Sequence, residues 1–288
     1  MQQTDPRTSA SSSALLAVHP CYDAKAQSRY ARVHLPVAPR CNIQCNFCNR
    51  LYDCANENRP GVTSRTLTPD EALSRLDAVL KEIPNTTVVG IAGPGDPLAN
   101  PESTFRTFEL IRAAHPQLHL CLSTNGLVLP EHIDEIRGLH VEFVTVTVNA
   151  LTPAMAARIY GWVRYRGQVL RDTQAGEVIL GQQEVGIRRL AEANVLVKVN
   201  TVMIPGINQE HVPAIAARAK TMGACLFNVM PLIPVQGTAF GHLPAPDADE
   251  RAALMDRCAA ELPVMRHCRQ CRADAVGLLS EDRSVQFA

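Results

Sequence analysis

The 288-residue sequence predicts an α/β fold, an open (β/α)6 partial TIM barrel with N- and C-terminal extensions. Strand-like and helix-like stretches alternate along it, without short repeats or an internal linker rich in Gly or Ser. Because strands separated by helices form parallel, right-handed βαβ units, six such units suit one partial barrel. Polar motifs follow several predicted strands, and barrels carry their reactive groups at the carboxyl ends of strands. We therefore expect one domain with its site at that end.

The individual elements follow from periodicity and capping signals. Runs of β-branched and apolar residues predict six strands, at 33–37, 87–92, 119–123, 141–148, 195–202 and 224–229. Thr68 and Glu71 form a capping-box pattern with Pro69 at the first helical position, which predicts a helix after Thr68. Further helices are predicted at 102–114, 130–137, 186–193, 211–222 and 247–262. Residues 152–180 show no clear period, and we interpret them as an elaboration over one mouth of the barrel.

Composition restricts the compartment and the partners. The formal net charge is zero, which provides no overall attraction to nucleic acid or anionic membranes. The chain starts polar, without the apolar stretch of a secretion signal, and has no apolar run long enough to cross a bilayer. We therefore predict a disordered tail at 1–18 and a cytoplasmic protein. Because thiols stay reduced there, the ten cysteines favour metal ligation over disulfides.

The most specific motif follows the first predicted strand, where Cys41, Cys45 and Cys48 have Cx3Cx2C spacing. A 4Fe–4S cube normally takes one thiolate per iron, so three thiolates leave one iron free for a ligand that is not protein. Ferredoxin and structural zinc sites are the alternatives, but their cysteine spacings differ from this one. The motif resembles that of radical S-adenosylmethionine (SAM) enzymes, in which the free iron binds the methionine group of SAM and one electron cleaves the sulfonium.

Candidate cofactor-binding residues lie at the ends of the next strands. Gly93 and Gly95 allow the backbone to approach a ligand closely, and Asp96 suits the methionine ammonium. Hydroxyl and amide groups at later strand ends extend this set, namely Ser123, Thr124, Asn125, Asn149 and Asn200. The stretches 92–97 and 121–126 can also be explained as ordinary turns that bind no ligand. Lys198 fits either a polar barrel interior or a sheet edge. Loop 203–208 either packs on the adenine or serves as a hydrophobic anchor.

Further thiols suggest a second metal site. Cys268 and Cys271 form a compact pair near the C-terminus, which is also half of a zinc knuckle. Cys121 and Ser123 share one face of the third strand, so Cys121 is a metal ligand if that face points into the barrel and a small core residue otherwise.

One histidine, His34, is a further candidate ligand for this second metal site. His34 lies within the first strand, where a lone histidine is usually a packed core residue. If Cys21, Cys54 and Cys121 fold close to it, His34 would complete a site of three cysteines and one histidine, because imidazole is an accepted iron ligand.

These motifs together are similar to the NifB family, the radical SAM carbide synthases of nitrogenase cofactor assembly. The matching stretches are 19–22, 34–41, 48–50, 53–54, 58–62, 92–97 and 267–279. The resemblance runs over about 19–283 and implies a radical SAM core at 19–284 with cluster-binding extensions. It also implies fusion of two 4Fe–4S clusters into an eight-iron, carbide-containing precursor. SAM would be both methyl donor and radical source, and an additional sulfur would come from a small sulfur source.

Residue by residue, the resemblance implies three 4Fe–4S clusters. The thiols of the catalytic radical cluster would be Cys41, Cys45 and Cys48. The ligands of one substrate cluster would be Cys21, His34, Cys54 and Cys121, with His19 as the rival to His34. The other substrate cluster would be held by Cys268 and Cys271. The candidate acids and bases are Asp53, Glu57 and Asp96, and the thiols expected to be structural are Cys225 and Cys258.

The implied partners are an iron–sulfur scaffold that donates clusters, a ferredoxin or flavodoxin reductant, and a carrier protein that receives the product. Many family members add a carrier-like C-terminal domain, which we do not expect here because the sequence ends at Ala288. Neither nucleic acid nor a membrane is an expected partner. The alternatives are a radical SAM enzyme of the GTP 3′,8-cyclase type, which would have three C-terminal cysteines, and a non-catalytic iron–sulfur scaffold.

Overall fold

The computed structural model describes residues 13–287, and its largest sheet contains six parallel strands. The strands of this part of the chain are β1 (Ala31–His34), β2 (Ile43–Cys45), β3 (Thr86–Ile91), β4 (His119–Thr124), β5 (Val141–Thr147), β6 (Tyr160–Tyr165), β7 (Gln168–Leu170), β8 (Leu196–Met203), β9 (Leu226–Pro231), β10 (Val276–Leu278) and β11 (Glu281–Asp282). The parallel order is β1-β3-β4-β5-β8-β9. This confirms the predicted open (β/α)6 partial barrel.

Helices connect these strands. They are α1 (Pro69–Glu82), α2 (Pro101–Ala114), α3 (Ile133–Gly138), α4 (Pro153–Ile159), α5 (Asp172–Glu192), α6 (Val212–Met222) and α7 (Ala248–Ala259). The capping box at the start of α1 is present, because the Thr68 hydroxyl accepts from the Glu71 amide and the Glu71 carboxylate accepts from the Thr68 amide. No helix within the described residues is both long enough and apolar enough to cross a membrane.

Two additions to the barrel were not predicted from periodicity. The C-terminal segment returns to the first strand, where β10 pairs antiparallel with β1 and β11 pairs with β10. Within the cysteine loop, β2 pairs with β6, and β6 pairs with β7 to form a small antiparallel sheet. Both additions use strands of two to six residues, which carry too little pattern to identify alone.

The helix α5 is much longer than the predicted helix at 186–193. Glycine at positions 176 and 186 lowers helix propensity, but both glycines allow close packing. A Cβ on Gly176 would lie 2.5 Å from the Pro153 carbonyl oxygen, and a Cβ on Gly186 would lie 2.7 Å from the Leu129 side chain. Tertiary packing therefore overrides the local signal in this region.

The sheet separates an apolar layer from a polar interior. Along β4, Leu120 and Leu122 are fully buried in the main core, while the alternating residues Cys121 and Ser123 face a cavity. The first strand ends earlier than predicted, at His34, because Pro36 has no N–H to continue the ladder. Most of the tail predicted at 1–18 lies outside the described residues, and its described part contains a helical hydrogen bond from the Ala17 amide to the Ser13 carbonyl.

Candidate metal centre and active site

The cysteine loop is a compact, internally bonded unit. Cys45 and Cys48 are buried, and Cys41 is half-buried. The Gln44 amide donates to the carbonyl oxygens of Cys45 (3.0 Å) and Cys48 (2.7 Å), and the Cys48 amide donates to the Cys45 carbonyl. The Gln44 side chain and one backbone hydrogen bond therefore join Cys45 and Cys48 in one turn.

Two asparagine side chains approach the loop thiols. The Asn56 amide nitrogen lies 3.2 Å from the Cys45 sulfur, and the Asn125 amide nitrogen lies 3.9 Å from the Cys41 sulfur. Burial raises the pKa of the Cys41 thiol to about 12, and the nearby carboxyl of Asp96 adds to this rise. Burial and the neighbouring thiols also raise the pKa of Cys45 well above its ordinary value. A bound metal centre that stabilises thiolates fits this donor set.

The Gly-Pro-Gly turn after β3 packs on the stem of that loop. A Cβ on Gly95 would collide with the Arg40 carbonyl, and the Asp96 amide donates to the same carbonyl at 2.8 Å. The Ala38 amide donates to the Gly93 carbonyl at 3.1 Å. The close approach that glycine allows here is therefore to the protein's own backbone.

The Asp96 carboxylate joins two strand ends. It accepts from the Leu98 amide (2.9 Å), the Asn125 amide (2.6 Å) and the Thr124 hydroxyl (3.1 Å). Burial raises the pKa of Asp96, while these hydrogen bonds act in the opposite direction. Thr124 and Asn125 are thus brought together with Asp96, and their assignment to cofactor binding stays a prediction.

One cavity gathers thiols from distant parts of the chain. Its sulfur-bearing lining residues are Cys21, Cys121, Cys268, Cys271, Met230 and Met265. Two imidazoles, those of His19 and His34, line it too. All ten cysteines are free, and within residues 13–287 no group of three His, Cys, Asp or Glu side chains is arranged to hold a single metal ion.

Cys54 is placed differently from the other predicted ligands. It is buried and does not line the cavity. Burial, followed by the thiols of Cys48 and Cys41, raises its pKa well above the ordinary value, which places Cys54 close to the cysteine loop. The assignment of Cys54 to a cluster with Cys21 stays a prediction.

The two histidines present different ring nitrogens. His34 Nδ1 lies 3.2 Å from the Arg272 carbonyl, which is an acceptor, so Nδ1 carries the proton and Nε2 has the free lone pair. His19 Nδ1 accepts from the Cys21 amide at 3.0 Å, so its proton is on Nε2, which is buried without a partner. Burial lowers both pKa values, that of His34 to about 4, so both rings are neutral at pH 7. His34 therefore has the arrangement typical of a metal-binding histidine.

Two cations face the same cavity. Arg32 is 2% exposed and donates to the Cys271 sulfur at 3.1 Å and to the Gly277 carbonyl. Lys198 is buried as well, and although burial lowers its pKa, the thiols of Cys21 and Cys121 raise it overall. Lys198 therefore lies in the barrel interior and not at a sheet edge.

A chain of amide groups crosses the cavity wall. Asn228 donates to the Cys268 sulfur at 3.4 Å and to Asn200 at 3.1 Å, and Asn200 donates to Glu57 at 3.0 Å. The Thr147 hydroxyl donates to the other Glu57 oxygen. Burial raises the pKa of Glu57 to about 8, and the Thr147 hydrogen bond limits this rise.

Other predicted residues have structural partners. Asn149 donates to Asn56 at 3.1 Å and accepts from the Val202 amide at 2.8 Å. The Asn208 side chain closes loop 203–208 by bonding to the Ile204 amide, and Ile204 is fully buried as a hydrophobic anchor.

Asp53, a candidate acid or base, joins the cysteine loop region to the C-terminal segment. Its carboxylate accepts from the Ser64 amide and hydroxyl and from the Ala273 amide at 3.0 Å. Cys258 is fully buried in α7 and the Cys225 thiol donates to the Val197 carbonyl, so neither points at the cavity.

Sequence reasoning missed Arg32, Asn56 and Asn228. Asn228 had a usable signal, because it pairs in register with Asn200 on the neighbouring strand. Arg32 had one too, since a charged residue inside a short apolar strand needs a buried partner.

Comparison with known proteins supports the motifs. The family model described as Radical SAM superfamily matches residues 35–219. The chain is 54% identical over 280 residues to "FeMo cofactor biosynthesis protein NifB" of Frankia alni. The aligned region covers 94% of this chain and 55% of that protein. The chain is 52% identical to the protein of the same name from Klebsiella pneumoniae (94% and 59%) and 48% identical to that of Azotobacter vinelandii (93% and 54%). The chain thus spans about half the length of these curated relatives.

Solved structures support the fold alone. Streptococcus suis SuiB superposes with a TM-score of 0.57 at 12% identity, covering 92% of this chain and 55% of that one. The radical SAM methyltransferase TsrM from Kitasatospora setae gives 0.51 at 14% identity, covering 74% and 36%.

Proposed function

The chain belongs to the radical SAM superfamily, and we propose that it performs the NifB-type step in assembly of the nitrogenase iron–molybdenum cofactor. In this proposal two 4Fe–4S substrate clusters are fused into an eight-iron precursor that contains a carbide. SAM is both the methyl donor for that carbon and the radical source. The observation that carries the proposal is the single cavity in which four cysteines and two histidines meet beside Lys198 and Arg32.

The cysteine loop suits a resident 4Fe–4S cluster. Cys41, Cys45 and Cys48 would hold it, and Asn125 and Asn56 would donate to the thiolates. Such a cluster, with SAM bound beside it, would supply the electron for reductive cleavage of the sulfonium. Ser123 at the cavity edge and the turn at Asp96 are the proposed SAM contacts.

The cavity suits two substrate clusters. Cys21, Cys121 and His34 would bind one of them, with Cys54 as the further proposed ligand, and Cys268 and Cys271 would bind the other. The free lone pair on His34 Nε2 favours it over His19. Incomplete ligation by protein fits a cluster that must later leave.

Buried cations and one acid would serve the reaction. Arg32 and Lys198 would balance the thiolate charge, because a buried anion needs a partner in a medium of low polarity. Glu57 faces the cavity, and its pKa of about 8 lies close to neutral, where a carboxyl group exchanges protons effectively. We infer that the ionised form of Glu57, which is the minor form at pH 7 with this pKa, accepts a proton during the loss of hydrogens from the methyl carbon.

The proposed setting is the cytoplasm. The proposed partners are a scaffold that donates the clusters, a ferredoxin or flavodoxin that reduces the loop cluster, and a carrier that receives the product. The GTP 3′,8-cyclase alternative is disfavoured, because the matched relatives with identities near 50% carry the NifB name.

Iron and sulfide analysis tests the proposal. After anaerobic reconstitution, the wild-type chain should contain about twelve irons, and a Cys268→Ala/Cys271→Ala double variant should contain about eight. The electron paramagnetic resonance signal that responds to SAM should persist in the variant, because the loop is intact.

The matched control is Cys258→Ala, which removes a buried thiol outside the cavity and should keep all twelve irons. A wild-type content of about four irons after full reconstitution would contradict the cluster-fusion proposal. Absence of 5′-deoxyadenosine on reduction with SAM would instead support the scaffold alternative.

A further inference from the structure

A basic groove opens at the protein surface beside Cys41. It has a volume of ≈ 580 Å³ and lies between the cysteine loop and the β6–β7 hairpin. Its charged lining residues are Arg40, Arg50 and Arg164, and no described Asp or Glu lines it. In a chain with 28 basic and 28 acidic residues, this is a local concentration of positive charge.

Two of the three arginines, Arg40 and Arg164, are exposed to solvent and leave positive charge at the groove surface. In the described part of the chain, none of the three forms an ion pair, whereas Arg65, Arg106 and other surface arginines do. Arg50 is half-buried, donates to the Pro39 carbonyl, and directs its charge toward the loop thiols of Cys41 and Cys48, which outweigh burial and raise its pKa. The groove therefore has positive charge available for an anionic partner.

The hairpin contributes apolar surface to the same face. Trp162 and Arg164 alternate on β6 and therefore point the same way, with the guanidinium 6.0 Å from the indole ring. Val169 lies opposite Arg164 on β7 and is 49% exposed. The Arg164 amide donates to the Asn42 carbonyl at 2.7 Å, which fixes this face to the cysteine loop.

We propose that this basic groove docks a small acidic electron-carrier protein of low reduction potential, which reduces the cluster held by Cys41, Cys45 and Cys48. The inference rests on the proposed function and names the partner surface for its reducing step. One electron leaves the reduced carrier and enters the cluster, the carrier is released oxidised by one electron, and no covalent bond forms.

Three properties of the groove fit this partner. Charge complementarity favours a carrier with an acidic face, since opposite potentials steer such encounters. The half-buried Cys41 lines the groove, so a docked carrier is separated from the cluster site by little protein. Electron-transfer encounters are also among the smallest protein interfaces, so a groove and one hairpin face are large enough.

Charge reversal at Arg164 tests the proposal. The reconstituted full chain is assayed for 5′-deoxyadenosine with limiting reduced flavodoxin and, separately, with dithionite. For Arg164→Glu, kcat/KM for flavodoxin should fall about tenfold with a weaker salt dependence, because steering charges mainly control association. The dithionite rate should not change, and Arg164→Lys should retain most of the flavodoxin rate.

The control variant is Arg106→Glu, at an exposed arginine on α2, which should behave as wild type. Binding of oxidised flavodoxin, measured by titration calorimetry at low and high salt, tests docking without turnover. Equal flavodoxin binding by Arg164→Glu and Arg106→Glu would overturn the docking proposal. If the wild-type chain formed no 5′-deoxyadenosine with dithionite, the proposed function would be overturned. The calorimetry would still show whether flavodoxin docks at the groove.

Discussion

The two thiol-bearing regions of this molecule are built in opposite ways. The cysteine loop takes three thiols from residues 41–48, and hydrogen bonds local to the loop, from the Gln44 side chain and the Cys48 backbone amide, fix its turn. The cavity takes its thiols from the segment before β1, from β4 and from the C-terminal segment. A local motif can be identified from its spacing, whereas a site shared among distant segments depends on how those segments pack.

Three contacts at long sequence separation assemble the cavity. The Arg32 guanidinium donates to Cys271, the His34 ring bonds to the Arg272 carbonyl, and the Asp53 carboxylate accepts from the Ala273 amide. All three reach the same short C-terminal segment. The cavity therefore depends on how firmly residues 271–273 are held.

The largest expected effect is that of Gly95→Ala, which should disrupt the cysteine loop and leave the cavity intact. The added Cβ collides with the Arg40 carbonyl and displaces the stem of the loop. We expect 5′-deoxyadenosine formation to fall on the order of 100-fold, as misplacement of reacting groups by about 1 Å does.

Gly138→Ala is the matched control, since a Cβ at Gly138 meets no atom within 4 Å. Reactivity of Cys268 and Cys271 toward a thiol reagent should be the same in both variants. If Gly95→Ala also exposed the cavity thiols, the two regions would not be independent.

Arg32→Met should disrupt the cavity and leave the cysteine loop intact. It removes hydrogen bonds to Cys271 and to the Gly277 and Leu278 carbonyls. Leaving these buried acceptors unpaired should lower the free energy of unfolding by about 2–3 kcal/mol. Hydrogen exchange should accelerate at 276–278.

Arg251→Met provides the comparison, because Arg251 bonds to one carbonyl, that of Val229, and to none of residues 271–278. Denaturant unfolding should show a smaller loss, about 1 kcal/mol. Unchanged exchange at 276–278 in Arg32→Met would show that Arg32 does not hold this segment.

The smallest effect is expected for Asp53→Asn, which tests the link between the regions. The amide would place donors against the Ser64 hydroxyl and the Ala273 amide, and should destabilise the fold by about 1–2 kcal/mol. Thiol reactivity should rise modestly in both regions. The control is Asp77→Asn, at an exposed carboxylate paired with His115, which should change neither stability nor thiol reactivity. If Asp53→Asn raised thiol reactivity in only one of the two regions, Asp53 would not link them.

The barrel and the cysteine loop were predictable because their signals are local. Six β-branched stretches lie within one or two residues of the observed parallel strands, apart from β1, where Pro36 ends the pairing early. The alternation of Cys121 and Ser123 on β4 correctly gave them one face, and the structure shows that this face lines the cavity.

The remaining features depend on tertiary packing. No local pattern shows that Arg32 bonds to Cys271, because the two residues are 239 positions apart. The glycines of α5 weaken its helical signal and become understandable only against Pro153 and Leu129. Likewise, Asp53 and Asp96 look like free acids in the sequence, and the structure shows that backbone amides occupy both carboxylates.

The pairing of β10 with β1 also sets an order of assembly. On the ribosome, β1 emerges more than 200 residues before β10, so its outer edge has no antiparallel partner during most of synthesis. Residues 41–48 and the turn at Gly95 are by then already available to each other. Once β6 has emerged and paired with β2, the loop has all its partners, whereas the cavity still lacks the thiols of Cys268 and Cys271.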